Sequence, residues 1–156
     1  MTATDAAADQ TICCPFEDNT EISDQTVLYR RLPGYHLVPV GDQPRPRRIT
    51  SNAFCDPDPM GVSFYAAHLL AAEDHNWQEI IPASQPDWGV ASFTAGAARK
   101  QGFGVRMRPD PDDAGNPLNY AHGELTGLRK GKPGHKQAKP LAASPTELLE
   151  LPEQQT

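Results

Sequence analysis

Apolar residues come in short runs along this chain, and their period changes from one run to the next. "VLYRRL" at 27–32 and "YHLVPV" at 35–40 carry the β-branched and aromatic residues of strands, joined by a turn at Pro33-Gly34. "GDQPRPRR" is a loop because its prolines cannot serve a central ladder, and "ITSNAF" is a third short strand candidate. In "VSFYAAHLLAAEDH" the spacing of Tyr65, Ala66, Leu69 and Leu70 predicts a helix from about Ser63 to Asp74. "WQEIIPA" either extends it or forms a strand, and Pro82 stops it in both cases. "GVASF" reads as a buried strand; Thr94 then caps an Ala-rich helix that Gly102 ends. "FGVRMR" alternates like a half-exposed strand, and "LNYAHGELTG" reads as the last strand of the core. "RKGKPGHKQAK" lacks apolar periodicity and reads as mobile, while "SPTELLELP" predicts one helical turn capped by Ser144.

Strands first, helices in the middle and strands at the end predict an α+β fold, with a small mixed or antiparallel sheet and two short helices. Composition adds boundaries. Residues 1–24 hold Asp5, Asp9, Glu17, Asp18, Glu21 and Asp24 without a base, so the net charge of −6 belongs to this segment, and 14 acids meet 14 bases from residue 25 on. The expected organisation is an acidic disordered leader (1–24), one α+β domain (25–128) and a basic, partly flexible tail with a short helix (129–156). No apolar stretch approaches the roughly 20 residues of a membrane span, which predicts a cytoplasmic protein without membrane contact. Cys13, Cys14 and Cys55 form neither a disulfide framework nor a zinc pattern, so no metal is expected. Phosphate-loop, dinucleotide and nucleophile-elbow motifs are absent, and no base stands near a cysteine in the sequence.

Strand alternation puts Leu28, Arg30 and Leu32 on one face and Val27, Tyr29 and Arg31 on the other, so one arginine accompanies the core. A buried guanidinium needs an anionic or carbonyl partner, supplied by the domain or by a ligand phosphate. His122 stands two residues before Glu124, so on a strand the two share a face. His68 and His75, two helical turns apart, sit too far from each other to chelate one ion.

The order of "LYRR", "RPRRITSNAF", "GVSFY" and "AHGEL" over residues 26–127 resembles that of ADP-ribosyltransferase-like proteins, including the small RES-type NAD-consuming toxins. The resemblance implies an NAD-consuming enzyme, a toxin or effector, in which Arg30 or Arg31 contacts NAD, Ser63 with Tyr65 supports the nicotinamide pocket, and Glu124 steadies the ribosyl cation. Arg48 and His122 join the implied cofactor-binding set, and Tyr65 or Trp88 supplies a ring on which a base stacks. The Ser-Thr-Ser triplet of one branch is missing, and Glu124 has no acidic or glutamine partner two residues before it.

Two other readings come from the residues alone. Arg129, Lys130, Lys132, Lys136 and Lys139 form a basic arm able to contact nucleic-acid phosphates, with the Arg45, Arg47 and Arg48 loop extending it. Alternatively the chain is a non-catalytic accessory subunit whose partner is another protein that orders its tails, "TELLEL" being a docking helix.

Overall fold

The computed structural model describes residues 12–55, 61–113 and 115–152. Its elements give an α+β fold with eight strands, β1 (Val27–Leu32), β2 (Leu37–Pro39), β3 (Arg47–Ile49), β4 (Val62–Ala66), β5 (Gly89–Thr94), β6 (Gly104–Met107), β7 (His122–Thr126) and β8 (Glu147–Glu150). Among the described residues the α-helices are α1 (Ala67–Ala72), α2 (Ala95–Lys100) and α3 (Gly131–Ala138), the last in the tail but at 131–138 and not in "SPTELLELP". Six strands form one sheet in the order β6-β7-β4-β1-β5-β8, and β2 with β3 forms a separate ribbon. Every pairing is antiparallel. None of the described helices is long and apolar enough to cross a membrane.

In an antiparallel pair, residues directly opposite each other share a face. One face therefore presents Leu28, Leu32, Val62, Phe64, Ala66, Ala91, Phe93, Val105 and Leu125. These are buried together with Phe54 and with Ala98, Phe103, Ala138 and Leu141 from α2, α3 and the connections beside them. The other face is only partly covered: Tyr65 and Val90 pack with Leu70, Ile80, Ile81, Leu118 and Ala121. Its uncovered part lies beside Arg31 and Ser63, which are both exposed.

Four local expectations change. The helix expected from Ser63 begins only at Ala67, because "VSFYA" is a strand between β1 and β7, and its aromatic residues are buried by the sheet. Trp77–Ile80 is a short 3-10 turn capped by Asn76. "ITSNAF" contributes only Ile49 to a strand before turning. "TELLEL" is a strand, β8, paired along β5 from Ser92–Glu147 to Gly89–Glu150, so the sheet continues past residue 128. Strand pairing offers Leu148 the first core and Leu149 the second, where a lone helical turn has no partner for its backbone.

Both tails are also tied down where they are described. Residues 12–19 run beside β6 and β7: Cys13 N–H donates to Leu128 O, Gly127 N–H to Cys14 O, and Asn19 N–H to Val105 O. The Arg99 guanidinium binds Asp18, Asp24 and the carbonyls of Asn19 and Ile22 at 2.7–3.1 Å. Two of the leader's acids, Asp18 and Asp24, are thus partners of a base about eighty residues away. The rest of the leader, 1–11, lies outside the described residues. In the basic tail "GKPGHKQA" is helical as α3, anchored by Gln137, whose side chain accepts from Arg129 N–H and donates to Gly127 O.

Candidate functional site

Strands β1 and β4 pair only at Leu28–Ala66 and Tyr29–Tyr65, although β1 runs on to Leu32 and β4 begins at Val62. Beyond Tyr29 the two strands part. The guanidinium of Arg30 spans the gap, Nε donating to Ala53 O and Nη1 to Ser63 O, each at 3.0 Å, with the Phe54 ring 5.8 Å away. At 8% exposure this is the inward arginine of the pair. Among its partners are backbone carbonyls of the chain itself, which fix the 50–55 turn and the start of β4 against β1.

Where the strands part, a cleft of ≈530 Å³ opens, lined by Arg30, Arg31, Ser63, Tyr65, Trp88 and His122, with Tyr35, His36, Cys55, Asp110 and Asp113 around them. Arg31 is exposed and lies over the Trp88 ring, 5.7 Å from its centroid. Ser63 and Tyr65 are alternate residues of β4 and point to the same side, and Tyr65 pairs in register with His122. The Tyr65 and His122 rings meet edge to face at 5.7 Å. Asn116 Nδ2 donates to Tyr65 Oη at 2.8 Å and to Asp113 Oδ2 at 3.1 Å, which leaves the phenol proton for a ligand acceptor. His122 Nδ1 sits 2.6 Å from the Arg108 carbonyl. A carbonyl only accepts, so Nδ1 carries the proton, and in the neutral ring Nε2 is an acceptor.

Glu124 falls on the same face, opposite Ser63 and Arg106 in register. It does not line the cleft. At 3% exposure its carboxylate lies 3.6 Å from Arg106, which also binds Glu17, and 3.7 Å from Arg108, so it is buried in a network of two guanidiniums and two carboxylates. Arg48 lies elsewhere: the β2–β3 ribbon places it in a separate groove with Lys139, Ser144 and Leu148. Arg45 and Arg47 bind Glu150 at 2.7 and 2.5 Å, so neither is a spare phosphate contact. Arg129, Lys130, Lys132, Lys136 and Lys139 are all exposed, at the start, along and at the end of α3.

Several lining groups had no sequence signal. Cys55 Sγ lies 3.6 Å from His135 Nδ1, a thiol–imidazole contact across eighty residues. Burial pushes this thiol up while the Arg30 charge pulls the other way, and the net direction is upward. Asp110 and Asp113 stand in the Pro/Asp/Gly stretch that reads as a solvent loop; only the tertiary fold brings them to the cleft. Tyr35 and His36, in a tilted ring contact at 4.5 Å, reach the cleft because only Leu32 separates Arg31 from the Pro33-Gly34 turn. Among the described residues no group of three His, Cys, Asp or Glu side chains is placed to hold a metal ion. Neither a family model, nor a curated protein, nor a solved structure matches the chain.

Proposed function

We propose that the cleft binds NAD and breaks its nicotinamide–ribose bond, the activity implied by the resemblance to ADP-ribosyltransferase-like proteins. The observation that supports this reading is the parting of β1 from β4. It puts a solvent-facing arginine, a serine hydroxyl, a tyrosine hydroxyl and a histidine of fixed tautomer around one concave space with a tryptophan at its side. Arg31 grips the pyrophosphate, for which a planar guanidinium is the best-matched side chain. Trp88 offers a ring face to a base, and the hydroxyls of Ser63 and Tyr65 meet the nicotinamide amide or ribose.

Cleavage sends the glycosidic electron pair to nicotinamide and leaves an oxocarbenium-like cation on the ribose, which a nearby carboxylate stabilises. Glu124 is a poor source of that charge, since Arg106 and Arg108 already offset it. Asp110 and Asp113 face the cleft, so they take the role that the resemblance assigns to Glu124, and Glu124 becomes a positioning residue that ties β7 to β6. Water then adds to the cation, its proton passing to His122 Nε2.

The test is nicotinamide release from NAD. Wild-type protein is expected to release it. Arg31→Ala should raise KM about 10- to 100-fold, the worth of one charge-assisted contact. Asp113→Asn should lower kcat more than Glu124→Gln does. Absence of release, together with no NAD-dependent rise in melting temperature, would sink the reading; a larger kcat loss in Glu124→Gln would return the catalytic role to Glu124.

A further inference from the structure

From Leu125 to Thr146 the chain contains no acidic residue, and it carries Arg129, Lys130, Lys132, Lys136 and Lys139. Folding gives this run a direction. Lys132, Lys136 and the C-cap residue Lys139 follow each other at i, i+4 and i+7, so they form one exposed ridge about 10 Å long along α3 and its end, while Gln137 and Ala138 face inward. The surface adjoins the cleft, because His135, between Lys132 and Lys136 on the same helix, contacts the lining residue Cys55. One end continues into the groove where Lys139 and the exposed Arg48 lie together.

We propose that this ridge docks a single-stranded nucleic acid and leads it to the mouth of the cleft. Charge complementarity selects a polyanion. Its lysines each offer a backbone phosphate a contact, and no acidic residue from Leu125 to Thr146 opposes them. Tyr35, 78% exposed among the residues lining the cleft, is a stacking platform for an unpaired base, which a duplex cannot present without unpairing. A docked base is then the acceptor. Its heteroatom lone pair bonds to the ribosyl carbon as nicotinamide leaves with the glycosidic electrons, and the displaced proton goes to solvent. This acceptor role rests on the NAD reading above; the docking does not.

The experiment measures binding of the full chain to a fluorescent single-stranded oligonucleotide of ~20 nucleotides, without NAD, across salt concentrations. Six cations predict a slope of log affinity against log salt near −4, a loss of a few hundred-fold between about 50 and about 200 mM. The triple variant Lys132→Gln, Lys136→Gln, Lys139→Gln should flatten the slope by about 2. Tyr35→Ala should weaken binding with the slope unchanged. No binding at low salt, or an unchanged slope in the triple variant, overturns the proposal. So does displacement by poly-glutamate as readily as by unlabelled oligonucleotide, which would assign the ridge to an acidic protein. Nicotinamide release measured without oligonucleotide reads the cleft separately, so the two proposals fail independently.

Discussion

Arg30 and Arg31 are neighbours in the chain, yet one guanidinium is buried against two carbonyls and the other lies in solvent over an indole ring. Strand alternation requires this split, because consecutive side chains leave a sheet on opposite sides. It does not say which arginine goes inward; Leu28 and Leu32 decide that, since both belong to the larger core and carry Arg30 with them. The two should therefore differ in what they support. Arg30→Ala removes the donor from two carbonyls and frees the 50–55 turn, at a cost of about 2–4 kcal/mol. Arg31→Ala loses an exposed cation–π contact worth less than about 1 kcal/mol. Urea unfolding of the two variants checks this, and equal losses would refute the assignment.

At the scale of the element, period was informative where one neighbour decides the structure and misleading where several do. "GVASF" and the Ala-rich turn after Thr94 form the expected strand and capped helix, because buried β-branched and aromatic positions and a local cap agree there. "VSFYAA" has helical spacing, yet β1 and β7 claim it from both sides and all of it but Ala67 is a strand. Gly123, the middle of "HGE", shows how tightly these strands meet. A Cβ there would stand 2.5 Å from the Phe64 ring on one side and 2.5 Å from the Arg106 carbonyl on the other. Gly123→Ala should cost about 1–3 kcal/mol by overpacking. Phe64→Leu should recover part of that loss in a double-mutant cycle, and additive losses would count against the contact.

At the scale of the molecule, the acidic leader and the body are joined through Arg99 and through Thr126, whose hydroxyl accepts from Glu17 N–H and donates to Glu17 O. Charge counting along the chain finds the leader's acidity but not its partners, Arg99 at the end of α2 and, for Glu17, Arg106 on β6. Docking buries Cys14, and burial pushes its thiol up, with the Arg106 charge opposing. The folded chain then keeps a proton that an unfolded thiol loses near pH ~8.5. The unfolded state binds fewer protons above that pH, so stability falls as pH rises through it. Cys14 should accordingly react with iodoacetamide more slowly than Cys13, and Arg99→Ala should speed it several-fold by loosening the leader. Equal rates for Cys13 and Cys14, read by peptide mass spectrometry, would show that residues 12–24 do not stay docked.

The amino-acid sequence by itself determined the α+β class, the split of the arginine pair, the shared face of His122 and Glu124, and the basic run after residue 128. Each follows from a repeat of two along a strand or from composition, and neither needs a distant partner. Tertiary structure alone decided that β1 and β4 part after Tyr29, that Asp110 and Asp113 face the resulting cleft while Glu124 sits between two arginines, and that Cys55 meets His135. These are contacts between segments far apart in the chain, set by register and by how loops cross an open sheet face, and local patterning carries no record of either.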